Sequence, residues 1–123
     1  MSMNIQYMVL TEDNFQSEVL AAQALVLVDC WASWCSSFQP INPLLNELPI
    51  SITQQIKVGR LNIAVSAKLA DDYRIRAVPT LLVFRDGQVL ERIVGGVAQP
   101  VFVSKLSALL ADHSSRRSRI ACL

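Results

Sequence analysis

The run Val28-Asp29-Cys30-Trp31-Ala32-Ser33-Trp34-Cys35-Ser36-Ser37-Phe38-Gln39-Pro40-Ile41-Asn42-Pro43 decides how the rest of the chain is read. Leu25–Trp31, which leads into it, is a continuous apolar stretch broken only by Asp29, the pattern of a strand covered on both faces. Ser33–Pro40 has turn character. Ile41, Leu44, Leu45 and Leu48 then form the apolar stripe of a helix. Pro43 falls inside that helix and is expected to kink it, because proline removes a backbone donor and clashes with the preceding turn. Cys35 therefore lies between a buried strand and a helix start, where unpaired N–H groups and the helix dipole stabilise a thiolate. Cysteines so placed can have a pKa lowered to roughly 3.5–7.5. A free cysteine is also commonly a small buried hydrophobe. Asp29 adds weight to the chemical reading, since a carboxylate in an apolar strand is costly unless paired, hydrogen-bonded or protonated. Six residues before Cys35, it could lie beneath the turn as a proton store. Trp31 and Trp34 flank the turn, either as a rim for an incoming polypeptide or as packing groups.

Outward from this run the chain alternates strands and helices. Tyr7–Leu10 is a short apolar strand candidate. Thr11 is an N-cap for an amphipathic helix over Glu12–Ala22, with Phe15, Val19 and Leu20 at helical spacing. Ile52 and Ile56 would continue the stripe of the second helix past Pro49, which leaves its end open. Ile56–Ile63 reads as a strand, and Ser66 as the N-cap of a short helix over Ala67–Tyr73. Thr80–Phe84 and Val89–Val94 read as a hairpin about Asp86-Gly87. Val101, Phe102, Leu106, Leu109 and Leu110 build a last helix begun near Gln99-Pro100. The order βαβαβαββα predicts an α/β layer with helices on both faces of a mixed sheet.

Composition narrows the function. With 123 residues the chain has room for one domain, expected over 1–112, followed by a basic, flexible tail over 113–123 that carries Arg116, Arg117 and Arg119. Hydrophobic residues make up 52% and charged residues 17%, too apolar for disorder. The longest apolar run is Ala24–Val28, far short of the ~18 residues of a membrane span. Met1–Leu10 lacks the charge and apolar core of a signal peptide. Eleven basic against ten acidic residues argue against nucleic acid as a partner. Three cysteines cannot make a full disulfide framework. No spacing suggests a metal or cofactor, and the single histidine, His113, closes the last helix. A cytosolic monomer is expected.

The quoted run resembles the thioredoxin family, whose members carry V-D-F-W-A-x-W-C-G-P-C-K and a kinking proline five positions after the second cysteine. The likeness extends from about Met8 to Ala111. Leu10-Thr11-Glu12-Asp13-Asn14-Phe15, Arg60-Leu61-Asn62-Ile63, Ala77-Val78-Pro79-Thr80-Leu81-Leu82-Val83-Phe84 and Val94-Gly95-Gly96 match in order and spacing. The resemblance implies a thioredoxin fold: a central five-stranded mixed β-sheet flanked by four α-helices. It implies that Cys35 is the attacking cysteine and Asp29 the buried acid. It implies that Trp34, Ser36, Ser37, Phe38, Val78, Pro79 and Gly95 border a substrate groove. It also implies a cis bond at Val78–Pro79, with Val78 offering its backbone to a target chain.

The departures matter as much. Phe38 stands where the family has its second cysteine, and Ser36 and Ser37 replace glycine and proline. A dithiol reductase forms a mixed disulfide with its first cysteine and resolves it with the second. Here resolution would need a thiol from elsewhere. Cys30 should point away from Asp29 into the opposite layer, while Cys122 on the tail could reach Cys35. Arg60 replaces a lysine and keeps a positive charge on the Asp29 side of the sheet, one that cannot be lost by deprotonation. Ala64 replaces an acid. Two functions are expected: thiol–disulfide exchange through Cys35 alone with protein targets or a small thiol reductant, or a redox-inactive binding module using the same groove.

Overall fold

Alternation puts Leu25 and Leu27 on one side of the strand β2 (Leu25–Trp31) and Val26, Val28 and Cys30 on the other, and both sides are covered by apolar neighbours. The computed structural model describes residues 5–33 and 41–121, with side chains as far as residue 112. Strand β2 is the centre of a five-stranded sheet formed with β1 (Met8–Leu10), β3 (Ile56–Asn62), β4 (Thr80–Arg85) and β5 (Gln88–Val94), in the order β1-β3-β2-β4-β5. Strands β1, β3 and β2 run parallel, and β4 and β5 antiparallel. The mixed sheet with helices is the architecture expected from the alternating sequence.

One face packs under the segment that holds Phe15 and Val19 and under α3 (Ala67–Asp72), with Leu82, Phe84 and Ile75 between. Phe15, Tyr73 and Phe84 meet there ring to ring at 5.3–5.7 Å between centroids. Thr11 and Asn14 cap each other reciprocally, Thr11 N–H to Asn14 Oδ1 at 2.7 Å and Asn14 N–H to Thr11 Oγ1 at 3.2 Å. The helix that follows is shorter than expected and of π type over Gln16–Leu20, with Ala21 N–H reaching Gln16 O at 2.9 Å.

The other face packs under α1 (Pro43–Asn46), α2 (Ile50–Thr53) and α4 (Gln99–Ala121). Pro43 does not kink a helix interior among the described residues. It opens α1 at a position where its missing N–H costs nothing, and Asn42 is the N-cap, accepting from Leu44 N–H at 3.1 Å. Pro49 separates α1 from α2, and a cavity of about 800 Å³ lies there between Tyr7, Leu45, Leu48, Ile50 and Lys57. Helix α4 buries Phe102 and Leu106 but leaves Val101 46% exposed, so Val101 does not belong to the core stripe. The helical backbone of α4 runs to Ala121, and no glycine or proline follows Pro100 to end it earlier. Buried Arg85 fastens α4 to the sheet by donating to Leu109 O at 2.7 Å. Among the described residues, no helix is long and apolar enough to cross a membrane.

Turns obey local chemistry. Asp86 and Gly87 both have positive φ (51° and 79°), as a two-residue hairpin turn requires. Helix α3 ends in a Schellman motif: Ile75 N–H donates to Ala70 O at 2.8 Å and Arg74 N–H to Asp71 O at 3.1 Å. Arg74 occupies the left-handed position (φ 54°) at which glycine is usual, at a cost of roughly 1 kcal/mol. Ser66 stands at the start of α3 but makes no capping bond; Asn62 Oδ1 accepts from Ala64 N–H at 3.0 Å instead.

Gly59 in β3 lies under Leu10, and a Cβ there would meet Leu10 Cδ1 at 2.5 Å and Cγ at 2.7 Å. Leu10 is itself buried, so it has little room to move. Gly59→Ala should destabilise the protein by about 1–3 kcal/mol through overpacking. Urea unfolding would show this as a lower midpoint at unchanged slope; an unmoved midpoint would mean that Leu10 repacks freely.

Candidate functional site

At the end of β2 a single carboxylate is driven into the helical face of the sheet. Asp29 is 2% exposed, and its Oδ2 accepts from Asn42 N–H at 3.0 Å and from Arg60 Nε–H at 3.1 Å. Asp29 and Arg60 are register partners on adjacent parallel strands, which brings their side chains together on one face. The arginine continues outward: its guanidinium lies over the Trp31 ring at 5.0 Å and the Tyr7 ring at 5.6 Å. Arg60 thus keeps the positive charge expected beside Asp29. Burial raises the Asp29 pKa above the ordinary carboxylate range, outweighing the Asn42 amide and the Arg60 charge, which both pull it down.

Cys30, next in the strand, faces the opposite core and is fully buried, as alternation requires. Burial, helped by the negative charge of Asp29, pushes its thiol up to about 12. Cys30 is a packing residue at physiological pH.

The third component is the start of β4. The Val78–Pro79 bond is cis. Val78 is half-buried against the core, Pro79 is exposed, and Thr80 Oγ1 ties the turn by donating to Ala77 O at 2.6 Å. Gly95 N–H donates to Pro79 O at 2.9 Å, and Gly95 has φ 74°, a conformation that favours glycine. Val78 and Pro79 therefore form one edge with Gly95, which is distant in the chain, and Val94 beside them is 57% exposed.

Trp34, Cys35, Ser36, Ser37 and Phe38 lie outside the described residues, as does Cys122. Sequence reasoning missed Asn42 and Tyr7. Asn42 carried a readable signal, an N-cap residue directly before proline at a helix start. It is 5% exposed, and its Nδ2 has no acceptor among the described residues. Tyr7 carried no signal, because its role comes from the β1–β3 pairing. Trp31, read as a possible rim residue, is half-buried against Arg60. Among the described residues no three His, Cys, Asp or Glu gather to hold a metal.

The pKa of Asp29 makes stability depend on pH. The native state holds this proton to higher pH than the unfolded chain, whose value is about 3.9. Asp29 therefore favours folding most below that value, and the contribution is lost as pH rises through the folded pKa. Asp29→Asn cannot ionise, so its stability relative to wild type should rise as pH increases from about 4 through the raised folded pKa of Asp29. Arg60→Met should do the reverse: without the guanidinium the Asp29 pKa rises further, so the variant should be destabilised by about 3 kcal/mol above the wild-type folded pKa and by less in acid. Urea midpoints across that range check both; parallel pH profiles for all three proteins would remove Asp29 as the source.

Comparison with known proteins agrees with this geometry. The family model described as Thioredoxin matches residues 6–108. Thioredoxin C-2 of Corynebacterium nephridii is 38% identical over 103 residues, covering 84% of this chain and 92% of its own. Thioredoxin 1 of Synechococcus elongatus is 35% identical over 96 residues, covering 78% and 90%. A thioredoxin of Buchnera aphidicola is 41% identical over 90 residues, covering 73% and 83%. The five-stranded mixed sheet, the ion-paired acid at the end of β2 and the cis-proline edge thus converge with the sequence matches: the chain belongs to the thioredoxin family, whose general chemistry is thiol–disulfide redox exchange.

Proposed function

We propose that this chain carries out thiol–disulfide exchange with protein targets through one nucleophile, Cys35. The Cys35 thiolate attacks a target disulfide, a new sulfur–sulfur bond joins Cys35 to one target sulfur, and the other sulfur leaves as a thiolate that takes up a proton. With Phe38 in place of a second cysteine, a thiol from outside the motif attacks the mixed disulfide, returns Cys35 as a thiolate and becomes disulfide-bonded to the target. A small cellular thiol is suited to this step in a cytosolic setting, where thiols are kept reduced. Asp29 serves as the proton store for the departing thiol. Trp34, Ser36, Ser37, Phe38, Val78, Pro79 and Gly95 hold the target chain.

The observation that supports this reading most is the buried carboxylate. Asp29 raises the free energy of an otherwise apolar strand and is kept in an ion pair directly before the segment that carries Cys35. Apolar replacement of a buried ion pair is often neutral or stabilising, so net stability alone does not account for Asp29. Phe38 favours a second reading, in which the groove binds a partner without redox turnover.

Alkylation of Cys35 against pH, resolved from Cys30 and Cys122 by mass spectrometry, separates the two. Exchange requires a Cys35 midpoint well below the free-thiol value of about 8.5 and one mixed disulfide per chain with oxidised glutathione. Cys30 should stay unmodified in the folded protein, since its thiol is pushed up to about 12. Cys35→Ser should form no adduct at that position, while Cys30 and Cys122 react as in the wild type. A Cys35 that neither ionises early nor forms the adduct, together with partner capture that survives Cys35→Ser, would establish the binding module.

A further inference from the structure

Among the described residues the three lysines and Arg60 are each paired with a carboxylate. Lys57 pairs with Glu18 at 2.6 Å, Lys68 with Asp72 at 3.1 Å, Lys105 with Glu91 at 3.5 Å, and Arg60 with Asp29. Arg74, Arg76 and Arg92 differ: all three are exposed, and none has a carboxylate within salt-bridge distance among the described residues. They also lie together. The Arg92 guanidinium donates to Tyr73 O at 2.5 Å and to Arg74 O at 3.5 Å, which brings it onto the end of α3, and Arg76 follows two residues later.

This cluster adjoins the cis-proline edge. Arg76 is separated from Val78 by one residue, and Arg92 and Val94 are alternate residues on one face of β5. Gly95 then bonds to Pro79. Unpaired positive charge thus runs directly into exposed Pro79 and Val94.

Fold requirements do not explain Arg74. Its left-handed backbone is one that glycine adopts without penalty, so α3 would end more favourably without a side chain there. Arg92 has a structural use as a cap on the C-terminal carbonyls of α3, but among the described residues the Arg74 and Arg76 side chains make no bond of that kind.

We infer that Arg74, Arg76 and Arg92 form a docking rim that selects acidic polypeptide segments as partners of the adjoining groove. A cationic rim of this sort raises the association rate and rejects basic partners more than it adds raw affinity. An extended acidic chain fits better than nucleic acid. The aromatic residue at the patch, Tyr73, is locked against Phe15 and Phe84, and exposed Tyr7 belongs to the β1 side of the sheet, beyond β3, β2 and β4, so among the described residues no stacking platform stands beside the arginines. This inference deepens the proposed function and rests on it for where a target cysteine would come to lie, but not for the binding itself.

Three probes test it on the full chain: a cysteine-free peptide rich in Glu and Val, the same peptide with Gln for every Glu, and an oligothymidylate. The Glu peptide should bind about tenfold tighter than the Gln peptide in about 0.02 M salt, and the gap should close near about 0.5 M. Arg74→Gln with Arg76→Gln should remove most of the preference. Arg74→Gly alone should weaken it while leaving the protein no less stable, which separates charge from folding. Equal binding of both peptides, or a preference untouched by the double variant, would overturn the inference. Oligothymidylate binding as tightly as the Glu peptide would overturn it in favour of nucleic acid. Because the peptides carry no cysteine, failed exchange at Cys35 with the Glu preference intact would count against the proposed chemistry alone.

Discussion

The two hydrogen bonds accepted by Asp29 Oδ2 join three parts of the molecule at one atom. Arg60 brings β3, the Asn42 amide brings the start of α1, and Asp29 itself lies near the end of the central strand. A buried ion pair is not by itself a source of stability, since desolvating two charges can cost as much as their attraction returns. What such a pair supplies is position. The carboxylate is satisfied only when β2 and β3 hold their register and when Asn42 turns its N–H inward, so sheet registry and helix placement are specified together. Trp31 and Tyr7 complete the arrangement by covering the guanidinium.

The central strand was legible because its apolar run is unbroken except at Asp29, and because a double-covered strand needs that pattern. The hairpin was legible from Asp86-Gly87, whose backbone angles demand those residue types. The helices were less so. Apolar spacing at Ile41, Leu44, Leu45 and Leu48 describes a face that must be buried, not the length of the helix that buries it. Two prolines then decide the matter locally: Pro43 opens one short helix and Pro49 opens the way to another. Val101 matched the helical period yet faces solvent, since period alone does not fix where an apolar stripe ends.

At the site, chemistry was more readable than geometry. A carboxylate in an apolar strand announces that it must have partners, and Arg60 could be named because the thioredoxin resemblance implies a cation at that position. The Asn42 amide could not, because a backbone donor has no letter in the sequence. The same holds for the Gly95–Pro79 bond, which joins two loops through main-chain atoms alone. Arg74 is the opposite case, a side chain written at a position where the backbone favours none. Departures from local preference of this kind are where a fold records demands other than folding.

Splitting the helical segment at Pro49 has a dynamic consequence. Helices of four residues have little stability of their own, so α1 is held by what it packs on and by the anchor at Asn42. Local opening of that segment would release the Asn42 amide and admit water to the Asp29 carboxylate in the same event. The exchange rate of one amide proton and the charge of one buried acid are therefore linked, and a slow-exchanging Asn42 amide reports a closed and dry carboxylate.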